Sequence, residues 1–193
     1  MKALTPSSPH VLIMVGIPGS GKSSFAERFA ETFQAPILNI GKLKNELNLN
    51  LPELLKLRDL ILPELTKGRR TILIEGETDS KKDRLTLISS LVKEGYNPLI
   101  IWVQTEPNEA RRRALKKYPA GSGLSSEEFD NLVKTFQPPT TQEKCVVISG
   151  KHTYATQLKV VLKQIAQNAD RTVNAGSTSK PLDRPRGRNI VLR

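Results

Sequence analysis

The sequence is poor in cysteine, in long apolar runs and, toward its C-terminal end, in acid. Cys145 is the single cysteine of the 193 residues, which excludes an internal disulfide and fits a reducing compartment. It opens the apolar run Cys145-Val146-Val147-Ile148, where a buried and inert thiol is expected rather than a nucleophile. No apolar stretch of signal-peptide type stands near the start, and no uninterrupted run reaches the roughly 18 apolar residues of a spanning helix. The expectation is therefore a cytoplasmic protein without membrane partners. There is no internal repeat, and the length suits one domain with one substantial core.

The acid deficit is unevenly spread. The formal charge is +11, and residues 171–193 hold six basic residues against one acid, Asp183, leaving +6 on the 170 residues before them. Much of that remainder lies in Arg111-Arg112-Arg113 with Lys116 and Lys117. A basic surface attracts polyanions, nucleic acid included, but a triphosphate site also needs cations.

What the chain does have is Gly16-Ile17-Pro18-Gly19-Ser20-Gly21-Lys22-Ser23, the pattern G-x-x-x-x-G-K-[ST], followed by Ser24. Backbone N–H groups must close tightly around a polyphosphate, and side chains at the glycine positions would block the approach or forbid the turn. Lys22 supplies a mobile charge for the β and γ phosphates, and the Ser23 hydroxyl suits Mg²⁺. The flanks agree with this reading. Residues 11–15 form an all-apolar run of buried-strand type, and Phe25, Phe29 and Phe33 with Ala26 and Ala30 mark one face of a following helix. That helix begins at the loop, so its dipole and free amides face the same phosphates. ATP with Mg²⁺ is the expected ligand pair.

Apolar runs at 11–15, 36–40, 71–75, 99–103 and 145–149 suit five parallel strands. Helical patterns separate them: Leu51, Leu54, Leu55, Ile61, Leu62 and Leu65 on one face, then Leu87, Ile88, Leu91 and Val92 on another. A basic helix is expected to open near Pro107. Ser125-Ser126-Glu127-Glu128 reads as a capping box for a helix whose buried stripe is Phe129, Leu132, Val133 and Phe136. Tyr154, Leu158, Val161, Leu162 and Ile165 mark the last helix. The pattern predicts an α/β fold, a doubly wound five-stranded parallel sheet of P-loop NTPase type, over residues 1–168. Residues 169–193 read as a flexible basic tail, because 174–181 is small, polar and poor in core formers.

No N-K-x-D guanine-reading motif is present, and the chain is short for a motor, helicase or transporter ATPase. From about residue 11 to 165 it resembles the P-loop kinases related to polynucleotide kinase and zeta toxin. The matching words, in order, are GIPGSGKSS at 16–24, a charged segment after the second strand, IEGETDSKKDR at 74–84, TEPNEARRRALKK at 105–117 and the ending Phe136-Gln137-Pro138-Pro139. The resemblance implies transfer of the ATP γ-phosphate to a hydroxyl of a nucleotide, a nucleic-acid end or a similar small acceptor. It also implies that Glu75 assists Mg²⁺ with Ser23, that Glu77 and Thr78 stand near substrate, and that 111–117 belongs to a basic lid. Arg113 and Lys117 fall at the lid's two phosphate-facing positions. Lys151 and His152 follow the last strand, where such folds touch adenine.

The resemblance breaks on the acceptor side. Where the family places D-x-x-R after the second strand, this chain has Gly41 and Lys44. Lys44 can attract a phosphate without a bidentate fork, but Gly41 cannot act as a base. Two readings follow. One is a kinase using Lys22, Lys44, Arg113 and Lys117; the other is a catalytically impaired ATP-binding regulator that meets a nucleic-acid or protein partner through its basic surface and tail.

Overall fold

The computed structural model describes residues 9–116 and 124–175, the last eight of them as backbone. Twelve elements follow one another along the described chain, five strands separated by one or two helices each. β1 (His10–Val15) leads to α1 (Lys22–Phe33), β2 (Ile37–Asn39), α2 (Ile40–Leu47), α3 (Leu51–Lys67) and β3 (Ile72–Glu75). α4 (Lys81–Lys93), β4 (Asn97–Gln104), α5 (Pro107–Lys116), α6 (Ser126–Thr135), β5 (Cys145–Ser149) and α7 (Tyr154–Ala175) complete it.

The five strands form one parallel sheet in the order β2-β3-β1-β4-β5. β1 is central, and every one of its residues is buried, which explains why its sequence is apolar without alternation. Leu12 and Met14 face Phe25 and Phe29 of α1 and Val161 and Ile165 of α7. Val11, Ile13 and Val15 face Leu54 and Leu62 of α3 and Leu87 and Leu91 of α4. Each such side chain withdrawn from water contributes about 1.5–3 kcal/mol, so the two faces together hold the layers in register. The chain turns to opposite sides of β1 through β3 and β4, and the resulting crevice lies at the carboxyl ends of the strands.

Local chemistry sets several boundaries that differ from the expected ones. β2 covers three residues because Asn39 caps the next helix, its side chain accepting from the Lys42 N–H, and Ile40 already belongs to α2. The charged segment after β2 is thus a separate helix. α3 begins at a reciprocal capping box between Asn50 and Glu53 and continues past Pro63 to Lys67. The capping box expected at Ser125 is present, with Glu128 as its partner. Three expected core positions are instead open to solvent: Leu51 at 46%, Val92 at 56% and Leu132 at 40% exposure. α7 runs to Ala175, and residues 176–193 of the expected tail lie outside the described residues. Among the described residues no helix is long and apolar enough to cross a membrane.

Candidate functional site

The loop between β1 and α1 is fixed by its neighbours before any ligand is considered. Gly16, Gly19 and Gly21 take φ values of +147°, +75° and +108°, which side-chain-bearing residues rarely adopt. A Cβ on Gly19 would also collide with the Ala110 carbonyl of α5. The Thr105 hydroxyl donates to the Ser20 carbonyl at 2.8 Å, and Gly150 packs so closely on that same carbonyl that a Cβ there would collide with it. The loop is therefore clamped by the ends of β4 and β5. Lys22, the first residue of α1, folds its ammonium back onto the carbonyls of Gly16 (2.6 Å) and Ile17 (3.0 Å).

At the open end of α1, the Ser23 hydroxyl donates to Glu75 Oε1 at 2.6 Å. Asn39 Nδ2 donates to the other carboxylate oxygen, Oε2, at 3.1 Å. Asn39 and Glu75 are register partners on adjacent strands, so the sheet itself places the amide beside the acid. The Asn39 carbonyl oxygen meanwhile caps α2, which holds the amide in one orientation. Ser23 and Glu75 offer two hard oxygen donors at one point, and among the described residues no group of three His, Cys, Asp or Glu forms a complete metal cage. That combination fits Mg²⁺, which keeps waters and phosphate oxygens in its shell and takes one or two protein ligands.

A cleft of about 770 Å³ runs over this point. On the α1 and α7 side it is lined by Lys22, Arg28, His152, Tyr154 and Gln157. The Arg28 guanidinium lies 5.9 Å from the Tyr154 ring centroid. On the α2 and β3 side it is lined by Gly41, Asn45 and Glu75, while Arg113 and Ala114 enter from α5, Leu132 from α6 and Leu124 from just before α6.

The arginines of α5 are held in place by acids. Arg113 donates to Glu109 Oε1 at 2.8 Å and to the Gly150 carbonyl at 3.0 Å, so it spans from α5 to the loop after β5. Arg112 shares Glu109, and the two guanidinium groups hold that carboxyl down at about 2. Arg111 turns away to Asp130 and Ser126 on α6.

The structure thus brings together Gly19, Gly21, Lys22, Ser23, Ser24, Glu75 and Arg113 around one cleft, with Pro18 at its edge and Gly16 and buried Ser20 bracing the loop from behind. Lys44 is placed differently from the other expected residues. It does not line the cleft, and its ammonium pairs with Glu77 at 3.8 Å. Glu77 sits at a left-handed φ of +52° just after Gly76, whose φ is +96°. Lys117 lies outside the described residues. Two contributors escaped the sequence reading. Asn39 carried only a capping signal, and its bond to Glu75 follows from strand pairing across 36 residues. Arg84 carried no sequence signal of its own, yet it is fully buried and paired with Glu143.

Comparison with known proteins places this arrangement. A family model described as an AAA domain, AAA_33, matches residues 11–139. No curated protein matches the chain by sequence. Among solved structures, a gluconokinase from Sinorhizobium meliloti 1021 superposes with a TM-score of 0.65 at 18% identity, over 86% of this chain and 97% of that one. The APS kinase of Mycobacterium tuberculosis, in complex with AMPPNP and APS, gives 0.58 at 17% identity over 83% and 99% of the two chains. A chain of the Pnkp1/Rnl/Hen1 RNA repair complex gives 0.58 at 21% identity over 66% of this chain and 44% of that one. At these identities the shared feature is the fold, a kinase-like P-loop architecture.

Proposed function

The chain belongs to the AAA-domain family AAA_33, matched over residues 11–139, and we propose that it is an ATP- and Mg²⁺-dependent phosphotransferase acting on a hydroxyl-bearing acceptor. The observation that carries the reading is the Ser23–Glu75 contact of 2.6 Å beside Lys22, at the start of α1 and under Arg113. Nothing in a bare anion-binding loop requires a hydroxyl and a carboxylate to converge at that point; a metal-assisted polyphosphate does.

In this reading the backbone amides of 16–24 and the α1 dipole hold the triphosphate. Lys22 leaves the Gly16 and Ile17 carbonyls for the β and γ oxygens. Ser23 and Glu75 would hold Mg²⁺, which would supply charge neutralisation on those oxygens when bound. Arg113 reaches the migrating group from the lid. The acceptor oxygen forms a bond to the γ phosphorus as the bond to the β–γ bridging oxygen breaks, and ADP departs. The acceptor proton passes to water, because Gly41 provides no side chain to receive it. Positioning and charge carry most of such a transfer, so the missing base slows it without ending it. The resemblance admits nucleotides, nucleic-acid ends and small hydroxyl compounds as acceptors.

Gly41 also supports a second reading, an ATP-binding regulator that has lost transfer. Measuring ADP production from Mg²⁺-ATP over a panel of hydroxyl acceptors, with Lys22→Ala as control, separates the two. Acceptor-dependent release that disappears in the variant is the expected result. ATP binding with no stimulation by any acceptor would establish the regulator instead.

A further inference from the structure

Most polar side chains on the α1 and α7 wall of the cleft are engaged with one another. The Tyr154 hydroxyl shares a bond with the Thr32 hydroxyl at 2.9 Å and donates to the Arg28 carbonyl at 3.2 Å. Thr153 accepts from the Thr156 N–H and pairs with the Thr156 hydroxyl. Gln157 differs from both. Its Nε2 donates to the Ser149 carbonyl at 2.7 Å, and because a carbonyl can only accept, that bond fixes which end of the amide is which. Oε1 therefore points away from that carbonyl, and among the described residues no donor reaches it. Gln157 lines the cleft yet is only 8% exposed. A buried acceptor held in one orientation favours a ligand that donates to it and penalises one that does not.

The position suits a base. The Ser149 carbonyl immediately precedes Gly150, which packs against the Ser20 carbonyl of the phosphate loop. With Ser23 and Glu75 at the metal end of a triphosphate and the proposed acceptor beside Gly41, the nucleoside is left the wall that carries Ser24, Arg28 and Gln157. Arg28 and His152 line that wall too, but both are exposed and keep their water whichever base is present. The His152 ring can also offer either a donor or an acceptor. The discriminating group on this wall is the Gln157 oxygen.

From this fixed acceptor we infer that the cleft selects nucleotides whose base carries an exocyclic amine, adenine or cytosine, over those with an oxygen at that edge, and that Gln157 makes the selection. The inference rests on the nucleotide-binding part of the proposed function. An amine donates an N–H to Oε1, whereas an oxo group meets it as a second acceptor. Oxo bases do carry a ring N–H, but one position away, and phosphates held in the loop limit how far the ring can shift.

Equilibrium binding tests this apart from phosphoryl transfer. The full chain, with Mg²⁺ present, is titrated calorimetrically with ATP against ITP and with CTP against UTP, pairs that differ at the amino or oxo edge. Inorganic tripolyphosphate serves as the ligand without a base. The amino member of at least one pair is expected to bind about tenfold more tightly than its oxo partner. Which pair shows it tells purine from pyrimidine. Gln157→Leu, which removes the acceptor, is expected to bring that pair within about twofold. Gln157→Lys can still donate to the Ser149 carbonyl but presents only donors, and is expected to turn the preference toward the oxo member. Equal or tighter binding of both oxo members by the wild-type protein overturns the inference, as does a folded variant of either kind that keeps the wild-type ratio. Tripolyphosphate binding with no gain in affinity from any base also overturns it, while leaving the phosphate site standing. Failure of every ligand to bind overturns it together with the nucleotide reading.

Discussion

Asn39 and Glu75 stand side by side at the ends of neighbouring strands, and the 3.1 Å bond from the Asn39 amide leaves Glu75 Oε1 to face Ser23. The acid is therefore positioned from two directions, by a helix through Ser23 and by a strand through Asn39. In the proposed function Glu75 serves Mg²⁺ and Asn39 orients it. Partners of this kind typically change metal affinity or activity about 10–100-fold when removed. Asn39→Ala is expected to raise the Mg²⁺ concentration for half-maximal ADP release by roughly tenfold at saturating ATP, and Glu75→Gln by more. A merely structural role for Asn39 would lower the melting temperature of the protein while leaving its Mg²⁺ dependence unmoved.

That bond also marks the boundary of what the sequence makes legible. β1, the loop and α1 were readable because each signal there is local: consecutive apolar residues, glycines at positions of positive φ, and aromatic residues every four positions. Leu132 was misassigned because helical spacing identifies a stripe without saying whether core or cleft lies opposite it. Asn39 and Arg84 were missed for the opposite reason. Their partners, Glu75 and Glu143, lie 36 and 59 residues away, and only sheet order and loop crossing bring them together.

Arg84 and Glu143 provide a test of that long-range chemistry. The guanidinium donates to both carboxylate oxygens, at 2.8 and 3.1 Å, and also to the Gln137 carbonyl that follows α6. Both side chains are almost wholly buried, at 0% and 2% exposure. Arg84→Met leaves an unpaired buried carboxylate and is expected to cost about 3–5 kcal/mol in urea unfolding at neutral pH. Burial pushes the Glu143 carboxyl up, but its hydrogen bonds from Arg84 and Thr140 outweigh this and the net shift is downward from 4.5. A lowered acid contributes stability above its unfolded value that is lost as pH falls through the folded one. The gap between wild type and variant is therefore expected to narrow as pH falls toward and through 4.5, because Glu143 of the variant, still buried and without the guanidinium, takes up a proton more readily than the paired carboxylate. An unchanged gap across that range would show that the pair contributes no electrostatic stability.

Cys145 makes a simpler prediction. Its thiol, partly buried at the start of β5, is pushed up to about 11 by burial, with the Trp102 backbone hydrogen bond opposing. Thiolate is the reactive form, so at pH 8 the folded protein should react with a thiol reagent roughly 100-fold more slowly than a cysteine of value 9.0. Urea should restore the normal rate. Rapid labelling of the folded chain would mean that the start of β5 opens or that its thiol is not desolvated.

Gly41 tests the catalytic reading most directly, because the fold has room to supply what the sequence omits. A Cβ built there meets only the Asn39 side-chain oxygen, at 3.7 Å, an ordinary contact, and Gly41 has no positive φ to strain a new residue. It lies in the first turn of α2, where a carboxylate is favoured by the helix dipole and helix propensity improves on glycine. Gly41→Asp should therefore fold at least as well as the wild type. If the cleft transfers phosphate to a hydroxyl, an acid at this point can take the acceptor proton, and a general base is worth about 10²–10⁴-fold. The expected outcome is a rise in acceptor-dependent kcat of roughly 100-fold, with ATP affinity little changed because the donor side is untouched. The rate should also acquire an acid limb in its pH profile, set by the new carboxyl and absent from the wild type. A folded, ATP-binding Gly41→Asp protein whose acceptor-dependent ADP release stays at the wild-type level would show that the acceptor oxygen does not sit beside α2. In that case the acceptor side of the proposed function would have to be relocated on the cleft.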